Sequence, residues 1–154
     1  RNFMKKWFVV FTLLFVFILS ACINDNNRLS GKTFDLVYAP VPLEEDVNNP
    51  SKYQPFMKLK FTGNNKVSHT VYNEIEGTYE LNEDTLIITF KNENEKLKIS
   101  LLDFRQSERD FSTYTALIGD TESDIKDPNK IEYLQLIINK LNRDIPIEFI
   151  EIEE

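Results

Sequence analysis

Few residues in this chain could carry out covalent or proton-transfer chemistry. Its 154 residues contain one cysteine, Cys22, and one histidine, His69. A single cysteine cannot form an intrachain disulfide or a zinc site built from several thiolates. His69 lies between Val67 and Val71 on one face of a predicted strand, and no sequence feature supplies the partner that a general base needs. We therefore interpret His69 as a structural residue and predict no catalytic residue, no metal site, no cofactor and no enzyme activity.

Acidic side chains are more numerous, and one group of them has the spacing that opens a calcium loop: Asp120, Glu122, Asp124 and Asp127. The positions that would need a turn glycine and a bidentate glutamate are Ile125 and Ile131. A calcium loop is therefore excluded. We interpret the group as a solvated acidic turn that leads into a helix, where negative charge near the helix N-terminus is favourable.

A second acidic group, Glu44, Glu45 and Asp46, lies in a predicted long loop over residues 39–55 that contains four prolines. Long loops in compact domains are often functional, although solvent-facing loops commonly have the same composition. The three carboxylates are a possible contact with a partner protein.

The first 22 residues have the pattern of an export segment. Lys5 and Lys6 precede an apolar run over residues 7–19. As a helix this run would be about 20 Å long, which is short against a hydrocarbon core of about 30 Å. Small side chains at Ser20 and Ala21 then precede Cys22. The run therefore suits a removable signal peptide better than a permanent membrane span.

The tetrapeptide Leu19-Ser20-Ala21-Cys22 resembles the lipobox of bacterial lipoproteins. The resemblance implies cleavage between Ala21 and Cys22 and attachment of a diacylglycerol, with acyl chains such as palmitate, to the Cys22 sulfur. It places the chain in the cell envelope, anchored by lipid on the extracytoplasmic face of the cell membrane. The alternative is an ordinary membrane anchor with an incidental cysteine.

This interpretation divides the chain into a signal peptide over residues 1–21, a lipidated cysteine and polar tether over residues 22–30, and one domain over residues 31–154. The processed chain has 15 basic and 25 acidic side chains, a net charge near −10. Such a charge disfavours phosphate-rich polymers, so we predict no nucleic-acid partner.

Within the domain, alternating apolar and polar residues with turn punctuation predict strands over 33–39, 57–62, 66–73, 75–81, 85–91, 96–104 and 145–152. Asp127 and Pro128, followed by apolar residues at helical spacing, predict one amphipathic helix over 127–142. The fold class is mainly β: an antiparallel meander, barrel or half-barrel with a C-terminal helix.

The stretch from Gly31 to Tyr38, then Phe61, then the hairpin Gly77-Thr-Tyr-Glu-Leu to Leu86-Ile-Ile-Thr-Phe90 is similar to the small lipocalin-like lipoproteins of bacteria. It departs from their pattern after Gly31, where Lys32-Thr33-Phe34 stands in place of a tryptophan. The resemblance implies an up-and-down barrel or half-barrel that binds an apolar molecule or serves as a scaffold. Five inward-facing aromatic residues could line such a site: Phe34, Tyr38, Phe61, Tyr79 and Phe90.

Two functions follow from these observations. The first is a membrane-anchored, non-catalytic binding module for a small apolar ligand or an envelope lipid. The alternative is a protein–protein interaction module, which includes an immunity-type envelope lipoprotein. Five bulky rings favour a filled interior over a wide cavity, since a barrel of about eight strands has room for side chains or for one small ligand.

Overall fold

The computed structural model of the chain describes residues 28–39, 53–70, 74–130 and 133–153. Eight strands pair antiparallel in chain order, and the pairing of the first with the last closes a barrel. The predicted mainly-β barrel with a single helix is confirmed. The strands and the helix are β1 (Thr33–Tyr38), β2 (Met57–Thr62), β3 (Lys66–Thr70), β4 (Glu74–Asn82), β5 (Thr85–Lys91), β6 (Glu95–Gln106), β7 (Tyr114–Ile125), α1 (Tyr133–Ile138) and β8 (Ile147–Ile152).

The alternation of side chains explains why these segments are strands. In β5, Leu86, Ile88 and Phe90 are buried, and the residues between them are only partly covered. A strand directs successive side chains to opposite faces, so one face enters the barrel and the other meets solvent. The turn between β2 and β3 forms as predicted, with Asn64 and Asn65 at φ angles of 60° and 57°, a region that asparagine tolerates.

Strand β7 is a correction to the sequence analysis. Asp120, Glu122 and Asp124, which we interpreted as a turn before a helix, are residues of a strand that pairs with β6. Glu122 lies opposite Lys98, and Asp124 lies opposite Lys96. The pairing register shifts between Ile99 and Leu101, so β7 has one extra residue there and its period of two is broken. The carboxylates form a charged outer face, not a turn.

The helix is also shorter than predicted. Residues 127–130 form a turn in which the Lys130 N–H donates to the Asp127 carbonyl at 3.1 Å. The Asp127 carboxylate accepts a hydrogen bond from the Asn129 N–H at 3.0 Å. Helix α1 spans only Tyr133–Ile138, and Leu134 and Ile137 on it are buried. The apolar face of this short helix therefore packs into the core of the barrel.

An up-and-down barrel has two distinct ends. We call the end with the β2–β3, β4–β5 and β6–β7 connections the lower end. Residues 28–32 lead into β1 at this end. The opposite, upper end carries the β5–β6 turn, the β1–β2 connection and the segment 126–146 that contains α1. Among the described residues, no helix has the length and hydropathy that crossing a bilayer requires.

Candidate functional site

The five aromatic residues predicted to line a ligand site lie inside or at the mouth of the barrel. Four are in the core: Phe34, Phe61 and Phe90 are completely buried, and Tyr79 is nearly so. Tyr38 is half-buried at the upper end and packs against the core. The strand alternation therefore placed these side chains on the correct face.

Phe34 is the centre of an aromatic cluster that fills the lower half of the barrel. Its ring centroid lies 5.9 Å from that of Phe61 and 5.8 Å from those of Tyr114 and Phe149, all in edge-to-face geometry. Phe104 extends the cluster, with its centroid 4.9 Å from Tyr114 and 5.3 Å from Phe149. Such contacts stabilise beyond the burial of apolar area alone. Tyr114 was not among the predicted aromatic residues, because strand β7 was not predicted.

The residues before β1 close the lower end. Leu29 is fully buried in the core, and the Gly31 N–H donates to the Phe61 carbonyl at 2.9 Å. The guanidinium of Arg28 lies 5.3 Å from the ring centroid of Tyr114 and 5.9 Å from that of Phe104. A cation over two aromatic faces adds electrostatic attraction. The residues that precede β1 therefore cover the lower end of the barrel.

At the upper end, side chains from β1 and α1 cover the core. The ring of Tyr38 stacks on Phe56 with centroids 4.2 Å apart. Its hydroxyl donates to the Lys140 carbonyl and accepts from the Asn142 N–H at 2.8 Å. These bonds fix the segment that follows α1 above the mouth of the barrel, where Leu134 and Ile137 enter the core.

Most inward apolar side chains of the eight strands leave little free space around them. Each strand contributes inward apolar residues that are at most 8% exposed, and most of these are 0–2% exposed. Ile75 of β4 and Ile125 of β7 are more exposed. Residues that lined a cavity large enough for a ligand would keep accessible surface toward that cavity. The described part of the barrel interior is therefore packed with side chains, as protein cores are.

His69 is buried on the inner face of β3. Its Nδ1 lies 3.0 Å from the Lys58 carbonyl oxygen, to which the ring donates, and its centroid lies 6.3 Å from that of Phe90. Burial lowers the pKa of His69, the hydrogen bond to Lys58 partly offsets this, and the nearby charge of Lys140 lowers it further. A neutral, hydrogen-bonded ring supports the structural interpretation.

One carboxylate enters the interior at the upper end. Glu95 shares the inner face of β6 with Leu97 and is 3% exposed. Its Oε2 accepts a hydrogen bond from the Asn92 side chain at 3.3 Å, while Oε1 is buried with no hydrogen-bond partner among the described residues. Buried polar atoms usually have partners, so Oε1 marks the least satisfied position of the upper interior.

A second layer covers the outer wall of β1 and β8. Glu148 is buried there, and its Oε1 and Oε2 contact Arg109 Nε at 3.4 Å and the Ser107 hydroxyl at 2.8 Å. The ring of Phe111, from the same loop as Arg109, stacks on that of Tyr53 with centroids 5.1 Å apart. A buried carboxylate needs such pairing. The loop between β6 and β7 is therefore fixed to the wall and is a structural element of this face.

Several predicted site residues lie outside the described residues. These are Cys22 with the Leu19-Ser20-Ala21 segment before it, and the acidic group Glu44, Glu45 and Asp46. Within residues 28–39, 53–70, 74–130 and 133–153, no group of three or more histidine, cysteine, aspartate or glutamate side chains is arranged to hold a metal ion. The described acidic residues 120, 122 and 124 are spread along one strand face.

Three comparisons with known proteins give no match. No family model matches the chain, and neither a curated protein nor a solved structure matches it at a significant level. The resemblances to bacterial lipoproteins and to lipocalin-like lipoproteins therefore stay predictions from the residues that carry them.

Proposed function

We propose that this chain is a lipid-anchored, extracytoplasmic barrel that binds another protein of the cell envelope. Cys22 within Leu19-Ser20-Ala21-Cys22 supports the lipid anchor. Two or more acyl chains on one residue are sufficient for stable anchoring, so the barrel itself need not contact the bilayer. Its acidic character also disfavours contact with an anionic lipid surface.

The anchor sets the orientation of the barrel. Only five residues separate Cys22 from Arg28, whose guanidinium packs on the lower aromatic cluster. Whatever its conformation, a chain of that length spans at most about 20 Å. The lower end therefore faces the membrane, while the upper end and the side walls face outward and are free to meet a partner.

The packed interior of the barrel is the observation that favours a protein partner over a small ligand. Because inward apolar side chains fill most of the described barrel and the aromatic cluster seals the lower end, binding takes place on the outer surface. The second candidate is a small apolar ligand or envelope lipid at the upper end. It is favoured by the short α1 at this end, and it requires Leu134 and Ile137 to leave the core.

The lipid anchor is tested by Cys22→Ser in cells fed with an alkyne-labelled palmitate. The unaltered chain incorporates the label and sediments with membranes, and Cys22→Ser loses the label. Ser20→Ala is the matched control, because it keeps a small residue before the cleavage point and should remain labelled. Equal labelling of the Cys22→Ser variant would refute lipidation at this residue.

Protein binding is tested with a photo-crosslinking amino acid placed in the full chain at one outward position of each strand. Ultraviolet light in intact cells should yield a discrete crosslinked species from positions on one side of the barrel only. Crosslinks from no position, together with a small molecule that co-purifies with the chain, would favour the second candidate.

A further inference from the structure

Only a short part of strand β7 is paired with a neighbouring strand on both sides. Tyr114, Thr115 and Ala116 pair with β8, whereas the remaining residues, 117–125, pair only with β6 in the part of the chain that the structure describes. The backbone N–H and C=O groups of residues 117–125 that point away from β6 therefore form an open strand edge. Such an edge is a template for the addition of another strand.

This edge is accessible from outside. Asp120, Glu122 and Asp124 are exposed on the outer face. Ser123 is exposed as well, although it lies opposite the fully buried Leu97 of β6. An extended chain can therefore approach residues 117–125 with little rearrangement of the barrel.

The charges on the outer face indicate which kind of chain fits. Lys96 and Lys98 of β6 lie opposite Asp124 and Glu122, and the Nζ of Lys98 is 3.9 Å from a carboxylate oxygen of Glu122. The Glu122 side chain is nevertheless 71% exposed, so it can accept a second cation. A strand added on the free side of β7 would stand opposite these carboxylates. Opposite charges on neighbouring strands stabilise a sheet, and like charges destabilise it.

A second copy of this chain fits the edge poorly, because pairing β7 with β7 would bring the same carboxylates together. We propose that residues 117–125 of β7 bind an extended, basic segment of the partner protein, which adds to the sheet as a further strand. Main-chain hydrogen bonds would provide affinity and the alternating lysine or arginine side chains would provide selectivity. This inference rests on the proposed function and specifies its binding surface.

Hydrogen exchange on the full chain in detergent micelles tests the inference directly. The probe is a nine-residue peptide of alternating lysine and threonine, and the control peptide replaces each lysine with glutamate. The lysine peptide should slow amide exchange about tenfold within residues 117–125, the effect of roughly 1.4 kcal/mol of added protection. Protection of amides outside residues 117–125, or no protection at all, would overturn the proposal. The carboxylates on this edge would then serve to prevent aggregation through strand pairing.

Charge-reversal variants then test whether the lysine peptide binds specifically at this edge or responds only to the net negative charge of the protein. Asp120→Lys combined with Glu122→Lys should weaken binding of the lysine peptide about tenfold, with a larger effect at low salt. Glu76→Lys combined with Glu80→Lys is the matched control on β4, which lies between β3 and β5. Equal weakening by both pairs would show that the peptide responds to net charge only and would overturn the proposal.

Crosslinking in cells distinguishes failure of this inference from failure of the proposed function. A crosslink from position Ser123 to a basic segment of a partner supports both. A crosslink from the outward position Thr89 on β5, with none from Ser123, leaves the proposed function standing and overturns the β7 site. The absence of crosslinks both from Ser123, which is exposed at the β7 edge, and from every outward position of the strands would overturn both.

Discussion

The hydroxyl of Tyr38 at the end of β1 holds the chain that leaves α1, more than 100 residues later in the sequence. It accepts a hydrogen bond from the Asn142 N–H at 2.8 Å and donates one to the Lys140 carbonyl. The same ring stacks on Phe56. One side chain therefore connects the first strand, the β1–β2 connection and the segment that covers the upper end.

Tyr38→Phe removes both hydrogen bonds and keeps the stacked ring. We expect the free energy of unfolding to fall by about 1–3 kcal/mol, since two backbone groups lose their partner. Amide exchange in residues 133–142 should become faster. Tyr53→Phe is the control, because it also removes a hydroxyl from a stacked ring. Equal effects in urea unfolding would show that the Tyr38 hydroxyl has no special role.

Phe34→Ala tests the aromatic cluster of the lower half. The ring contacts three other rings and is completely buried, so its loss should cost about 3–5 kcal/mol of unfolding free energy. Phe34→Leu should cost less because it leaves a smaller void. Urea denaturation measures both. A cost below about 1 kcal/mol for Phe34→Ala would mean that this half of the barrel is loosely packed.

Gly77 allows a close approach between β4 and β5. A β-carbon at this position would lie 2.5 Å from the Thr89 carbonyl oxygen and 2.7 Å from Cδ1 of Phe90. Gly77→Ala should therefore destabilise the barrel by at least 1–3 kcal/mol, the usual cost of overpacking. Gly63→Ala is the control, since a β-carbon there meets no atom within 4 Å. Thermal unfolding that ranks the two variants equally would contradict this account.

The buried His69 makes stability depend on pH. Because burial lowers its pKa below the unfolded value of 6.5, folding favours the neutral ring. The contribution of His69 is fully present above pH 6.5 and is lost as the pH falls from 6.5 toward the folded-state pKa. Glutamine does not titrate in this range. The difference in unfolding free energy between the unaltered chain and His69→Gln should therefore shrink as the pH is lowered from 7.5 to 5.5. A constant difference would contradict burial as the cause.

Much of the barrel could be predicted from local pattern. Strong alternation with aliphatic residues identified β2 and β5, whose bounds match the predicted ranges. Strand β7 was missed because its alternation is interrupted by the extra residue near Gly119 and because its outer face is acidic. Phe104 likewise has the wrong parity for the inner face of β6. It reaches the core since Asp103 takes a φ of 51° and shifts the register.

Contacts between distant segments could not be predicted. Nothing local indicates that Arg28 lies over Tyr114, or that Glu148 is buried beneath Arg109 and Ser107. Both arrangements depend on closure of the barrel between β1 and β8. The open edge of β7 could not be predicted either, because it arises from the short, three-residue pairing with β8 and not from a sequence motif.

The central claim is that the barrel interior is packed and that binding occurs on its outer surface. Mass spectrometry of the full chain purified from its membrane tests this most directly, by comparing the native mass with the mass after denaturation. The account predicts identical masses, equal to the chain from Cys22 onward plus its covalent lipid. A native mass that exceeds the denatured mass by that of a small apolar molecule would contradict it and would favour a ligand held inside the barrel.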